Sequence, residues 1–178
     1  MTDDALKIDA LEARLAALER RAAATEAVLE IQRLKAEYAR LVDARYLRGG
    51  GVIAPDALET VSRDIAALFT PDGRWDGGAA LGVSEGRDAI AARMREPTLE
   101  FSWHFFVKPE IQVDGDRATG RWDILSPCTT KEGRPMWMTG VEHDNYRRHE
   151  GQWLHETMEL EVIFMAPHDR GWAKRRNG

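Results

Sequence analysis

The sequence predicts an α+β fold, a curved antiparallel sheet with helices packed on one face and an amphipathic helix in front, and three observations carry that prediction. From Leu6 to about Tyr46 there is neither Gly nor Pro, and the strong helix formers Ala, Leu, Glu and Arg dominate. After Pro97, four segments of strand length, rich in aromatic and β-branched residues, are separated by Asp114-Gly115-Asp116, Lys131-Glu132-Gly133-Arg134 and His149-Glu150-Gly151, which are hairpin signals in succession. Helices first and a run of strands afterwards is the pattern of helices layered on one sheet face.

The helical stretch has two parts, one helix or two in sequence. Ile8, Leu11, Leu15, Leu18, Ala22 and Thr25 follow a three-four spacing flanked by charges, the narrow stripe of a coiled-coil or partner-docking helix. It lasts under three heptads and fades into alanines. Residues 1–26 are therefore expected to be an extension for oligomerisation or docking, in a homodimer or homotrimer, with packing on its own domain as the alternative. Residues 27–172 form the main domain, and 173–178, with Lys174-Arg175-Arg176, a solvated basic tail. In the second part Ile31, Leu34, Tyr38, Leu41 and Val42 share one helical face that must meet the core.

Arg48-Gly49-Gly50-Gly51 stops the helix and forms a flexible loop that could serve as a lid, and Pro55-Asp56-Ala57-Leu58-Glu59 opens a short helix running towards Leu68-Phe69. Thr70-Pro71-Asp72-Gly73 reads as a turn. Arg74-Trp75-Asp76 reads as the start of a short strand, and Ser84 as the cap of a helix over about Arg87 to Glu96.

A chain of 178 residues fits one domain with a substantial core. Its formal charge of -5 with mixed signs argues against general nucleic-acid binding, which needs a concentrated basic face. The lone Cys128 forms no intrachain disulfide and no Cys-x-x-Cys zinc pattern. An acidic Met1-Thr2-Asp3-Asp4 start resembles no signal peptide, and no run is long and apolar enough to span a bilayer. A reducing, cytoplasmic compartment and no membrane partner are expected. His143, His149, His155 and His168 lack a recognisable ligand spacing, so no metal and no cofactor is expected.

Phe101-Ser102-Trp103-His104-Phe105-Phe106-Val107 sets one imidazole amid aromatic, aliphatic and small residues. There it is either a satisfied core group or a proton carrier. A histidine base needs its second nitrogen held by an acceptor, best a carboxylate. Asp43 is the leading candidate, because it follows Leu41-Val42 on a helix whose inward face is apolar, and an unpaired buried carboxylate is costly. It could instead neutralise Arg40 or Arg45. Tyr38, five residues earlier and about 140° around the helix, can border the same cavity or be a core tyrosine.

The order Tyr38-x-x-x-x-Asp43, Leu68-Phe69-Thr70-Pro71-Asp72-Gly73-x-Trp75, Gly86-Arg87-x-x-Ile90, His104, Ala118-Thr119-Gly120-Arg121-Trp122 and Asn145-Tyr146-Arg147-x-x-x-Gly151-x-Trp153 resembles the SnoaL-like branch of the nuclear-transport-factor-2-like fold, over roughly residues 27 to 172. Within it the pattern is similar to the scytalone dehydratase, bile-acid 7α-dehydratase and hexachlorocyclohexane dehydrochlorinase group. The resemblance implies a cone-shaped sheet and a His-Asp pair deep in the cone that removes a proton while water or halide leaves. It puts that pair at His104 and Asp43, with Tyr38 as hydrogen-bond donor to the substrate. Met158 stands about where the dehydrochlorinase has an arginine, and Ser126 where the bile-acid enzyme has an aspartate, so substrate identity does not carry over.

Of the aromatic residues, mostly core, some must line the pocket; Trp75, Trp122, Phe106 and Trp137 are the candidates, with Asp123 as a polar one, although its commoner role beside Arg121 is a surface ion pair. His143 and His155, among charged neighbours, are expected on a solvated face. The expected function is a cofactor-independent, dehydratase-type lyase acting on a small apolar cyclic or polycyclic hydroxy-carbonyl compound. The alternatives are a ketosteroid-isomerase-like isomerase or polyketide cyclase, and a non-catalytic ligand-binding or assembly module.

Overall fold

The computed structural model describes residues 3–169; the basic tail expected at 173–178, and the last three residues of the expected 27–172 domain, lie outside the described residues. One unbroken helix of 41 residues, α1 (Asp3–Asp43), replaces the two-part alternative. Then come α2 (Pro55–Ala67), β1 (Phe69–Asp76), the single turn α3 (Gly78–Leu81), β2 (Val83–Glu85), α4 (Arg87–Met94), β3 (Leu99–Ser102), β4 (Phe105–Asp114), β5 (Arg117–Thr130), β6 (Pro135–His149) and β7 (Gln152–Pro167). Pro55 opens α2, where its missing N–H costs nothing.

The strands form one seven-stranded sheet in the order β2-β1-β7-β6-β5-β3, with β4 also on β5. The three expected hairpin turns sit at 115–116, 131–134 and 150–151, between the long strands β4, β5, β6 and β7. The sheet is mixed rather than purely antiparallel, because β1 runs parallel to β7. Helices α1, α2 and α4 pack on it, so burial on β5 falls on every even residue from Ala118 to Cys128. On α1, burial begins at Ala27; Ile31 and Leu34 pack with Ala118, Tyr146 and Trp153, while Tyr38, Leu41 and Val42 join Phe69, Ile90, Met94 and Met158. No described helix is long and apolar enough to cross a membrane.

Several local expectations are corrected. Thr70-Pro71-Asp72-Gly73 is not a turn between elements but the first half of β1, whose pairing with β7 slips between Phe69 and Arg74; a bulge absorbs the Pro and Gly. Ser84 does not cap α4, since it lies in β2 opposite Trp75. The cap position belongs to Gly86, at φ 78, whose N–H bonds the Gly73 carbonyl at 2.7 Å. Arg87 follows and donates through Nε to the Phe69 carbonyl at 2.8 Å. The Gly49–Gly51 segment is not an open loop: Gly51 donates its N–H to the Glu100 carbonyl at 3.0 Å, and Tyr46 bridges Val52.

Gly120 lies against the Tyr146 ring, which a Cβ there would meet at 2.8 Å. That ring is fully buried and held at its hydroxyl by Trp122 and Asp144, so it has no room to yield. Gly120→Ala is expected to cost about 1–3 kcal/mol through overpacking, read as a lower urea midpoint with unchanged slope.

Candidate active site

Asp43 is the last residue of α1 and His104 lies in the two-residue break between β3 and β4. Both strands run along the same edge of β5: Ser102 pairs with Cys128 and Phe105 with Leu125. In the break the Trp103 N–H still bonds the Pro127 carbonyl of β5 at 3.2 Å, and the next N–H, that of His104, is bound by the Asp43 carboxylate, at 3.0 Å through Oδ1 and 3.3 Å through Oδ2. The same Oδ1 lies 2.7 Å from His104 Nδ1. With the Nδ1 proton directed at the carboxylate, Nε2 is left as the proton acceptor; its nearest polar neighbour is Ser102 Oγ at 3.5 Å, itself 2.8 Å from Ser126 Oγ. Neither arginine competes for Asp43, since Arg40 bonds Glu37 and Arg45 bonds the Val42 carbonyl.

Phe106, the next residue on the same face, stacks on the His104 ring at 6.2 Å and lies 6.2 Å from the Tyr38 ring. The Tyr38 hydroxyl accepts the Trp75 indole N–H at 3.0 Å, and no acceptor for its own proton occurs among the described residues. Burial, and then the charge of Glu142, push the Tyr38 phenol well above its ordinary range. Trp122, on the buried face of β5, donates to the Tyr146 hydroxyl at 2.9 Å.

Two of the expected lining residues do not join this group. Asp123 pairs across the sheet with Val107 and Val141, alternating to the face opposite Trp122, where it bonds Lys108 at 2.6 Å and Arg121 at 3.0 Å. Trp137, opposite Pro127, lies on that outer face too and stacks on His168.

Behind Phe106 lies a polar network that the sequence reading missed. Lys35, fully buried, bonds Glu142 and, at 2.8 Å, Asp144, with its ammonium 4.4 Å from the Phe106 ring centre. Tyr146 donates to Asp144 at 2.6 Å. Burial alone would lower Lys35, but the two carboxylates outweigh it and hold the ammonium above its ordinary range. Burial, opposed by Lys35 and reinforced by Asp144, raises Glu142. The signal was present: Lys35 falls in the Ile31, Tyr38, Val42 stripe of α1, and Glu142, Asp144 and Tyr146 alternate onto one strand face.

His155 is corrected from a solvated face to complete burial, because the β6–β7 pairing slips between Asn145 and Tyr146 and turns it inward. It packs on Tyr146, Phe69 and Tyr38, and neither ring nitrogen has a hydrogen bond. Burial lowers its pKa from an ordinary 6.5 to about 3.

The pair sits near the rim of the concave face, not in a sealed hollow: the His104 side chain keeps 15% of its exposure and Asp43 8%. Clefts of about 280 and 570 Å³ open elsewhere, one against the β6–β7 turn and the other between α2 and α4, and neither is lined by His104, Asp43 or Tyr38. Among the described residues no group of three or more His, Cys, Asp or Glu could hold a metal ion.

Comparison with known proteins agrees with this architecture. The model of a family described as SnoaL-like domain matches residues 60–159. Hexachlorocyclohexane dehydrochlorinase LinA-type3 from Novosphingobium barchaimii is 17% identical, with a TM-score of 0.65 over 80% of this chain and 90% of that one. A candidate scytalone dehydratase from Novosphingobium aromaticivorans is 19% identical, with a TM-score of 0.65 over 81% and 89%. A protein from the same organism, described as NTF2-like with a cystatin-like fold, is 24% identical, with a TM-score of 0.58 over 93% of both chains, so that its likeness reaches into the N-terminal helix. At these identities the likeness is one of fold. No curated protein matches the chain.

Removing the ammonium leaves two buried carboxylates uncompensated, so Lys35→Met is expected to lose about 3–5 kcal/mol of unfolding free energy by chemical denaturation. His155 gives a pH signature. The unfolded chain binds a proton below about 6.5 whereas the folded one refuses it until about 3, so the contribution of His155 to stability is intact above that window and is lost as pH falls through it. His155→Phe, which keeps the ring contacts, is expected to lose less stability than the native chain between pH 7 and 4, read as the shift in urea midpoint.

Proposed function

Since the chain belongs to the SnoaL-like domain family, we propose that it is a cofactor-independent lyase of the dehydratase type, acting on a small apolar cyclic or polycyclic hydroxy-carbonyl compound, with His104 as base, Asp43 as its partner and Tyr38 as the donor to a substrate oxygen. The 2.7 Å contact between His104 Nδ1 and the Asp43 carboxylate carries the reading. It is the arrangement a neutral imidazole needs in order to accept a proton at Nε2 and remain stabilised as imidazolium. The names of the dehydrochlorinase and candidate dehydratase of like fold favour elimination.

In the proposed reaction Nε2 takes the proton from the carbon beside the carbonyl. The electron pair forms the new double bond, and the hydroxyl on the next carbon departs with the proton returned from Nε2. The products are an unsaturated carbonyl compound and water, and His104 ends neutral. The unshared Tyr38 hydroxyl proton polarises the carbonyl, while Phe106 and Trp75 supply apolar wall and Trp122 the floor. Positioned proton transfer of this kind contributes roughly 10²–10⁴-fold. An isomerase or cyclase would use the same three residues without a leaving group, and product mass separates it from a dehydratase. A non-catalytic ligand-binding role is favoured by one observation, that the clefts at α2–α4 and at the β6–β7 turn avoid the pair.

The reading is tested on a panel of β-hydroxy ketones by the absorbance of the conjugated product. Asp43→Asn and His104→Ala should each lower turnover by about 10²–10⁴-fold while circular dichroism stays native. Tyr38→Phe should lower it less. Full turnover in both dyad variants, on a compound the native chain dehydrates, would remove the dyad. Proton exchange with solvent but no water loss would move the assignment to an isomerase.

A further inference from the structure

We propose that the N-terminal half of α1 pairs with the same segment of a second copy as a parallel, in-register, two-stranded coiled coil. Ile8, Leu11, Leu15, Leu18 and Leu29 lie on α1 with between 46% and 64% of their surface exposed. Together with Ala22 and Thr25 they occupy successive a and d positions, with Ile8 at a and Leu11 at d, over three heptads or about 33 Å of helix. No part of the described chain covers this stripe, whereas α1 turns a different face, Ala27, Ile31 and Leu34, into its own domain.

Charge selects the occupant. In this register the e positions hold Glu12, Glu19 and Glu26 and the g positions hold Lys7, Arg14 and Arg21. A parallel pair sets each g residue against the e residue five places on in the partner helix, which brings Arg14 to a partner Glu19 and Arg21 to a partner Glu26. An antiparallel pair would set g against g and e against e, arginine on arginine and glutamate on glutamate. Glu12, Arg14, Glu19, Arg21 and Glu26 make no ion pair within the described chain, so they are available to a partner. Isoleucine at the first a position with leucine at the first two d positions suits two strands, and the small Ala22 and Thr25 layers let the helices approach closely. A second copy meets both requirements at once, an apolar stripe of equal length and a charge pattern complementary to itself.

The test uses the full chain and reads mass and geometry, so its outcome is independent of the catalytic reading. Light scattering should give twice the chain mass. Leu11→Asp with Leu18→Asp should give the single mass while the domain's thermal unfolding stays cooperative. Leu11→Cys, at a d position, should form an intermolecular disulfide under mild oxidation in most of the sample, and Ala13→Cys, on the outer face, should not; Cys128 is buried and serves as the silent background. A monomeric native chain, a threefold mass, a dimer that survives the double aspartate change, or equal cross-linking at residues 11 and 13 would each overturn the proposal. To test the charge argument, Arg14→Glu with Arg21→Glu should dissociate the pair, as should Glu19→Arg with Glu26→Arg. Mixing the two variants should restore the double mass, and dimers that persist in both variants alone would overturn the role of the charges.

Discussion

The buried ammonium of Lys35 decides how the long helix sits on the sheet. A lysine with 1% of its side chain exposed is tolerable only where its charge is answered, and here the answer comes from two carboxylates on β6, Glu142 and Asp144. Apolar contacts between α1 and the sheet would permit small slides and rotations. An ammonium between two carboxylates, one of which also accepts from Tyr146, admits far fewer positions. The register so set carries on along a rigid helix to Asp43, eight residues or about 12 Å further on, and delivers its carboxylate to the strand break at His104.

The same network sets the interior's electrical character. It holds two acids and one base: the two carboxylates raise Lys35 against the opposing effect of burial, whereas Glu142 is raised first by its burial. Next to it the domain keeps His155 neutral, with no hydrogen bond at either nitrogen and Asp144 at 3.9 Å. One histidine, part-buried, is thus held by a carboxylate at 2.7 Å, and the other, fully buried, is packed among aromatic rings with no hydrogen bond to either ring nitrogen.

How much of this was legible differs by element for physical reasons. The helices and the hairpin rhythm were legible because hydrophobic period and turn residues report directly on local structure. The meeting of His104 with Asp43 was legible because each is a polar group in an apolar setting. Lys35 was overlooked because a lysine in a helix is ordinarily solvated, and only the stripe from Ile31 to Val42 betrays it. His155 and the Thr70–Gly73 stretch were misread because strand pairing slips beside them, by one extra residue in β7 against β6 and by three in β1 against β7, and such a slip resets which residues face inward in a way that turn residues and charged neighbours do not report. Asp123 and Trp137 fall on the outer face for the opposite reason, an uninterrupted alternation along β5 and β6. The exposed stripe of α1 was visible as a pattern, but that it stays uncovered by its own domain needed coordinates.

The location of the pair at two element ends is itself a consequence of backbone bonding. Inside a helix or a central strand the N–H groups are committed, so a carboxylate approaching there finds no backbone donor, whereas β3 and β4 pair only with β5 and leave alternate N–H groups open on their far side. At the β3–β4 junction on this edge the His104 N–H faces α1, and Asp43, at the end of that helix, binds it together with the imidazole of the same residue. A carboxylate at the negative end of a helix is otherwise disfavoured, so these two donors also offset the cost of its position. The backbone bond fixes where His104 begins and the Nδ1 bond fixes how its ring is turned. One side chain thereby ties the end of α1 to the sheet edge and orients the ring beside it, which links the geometry of the site to the packing of the fold.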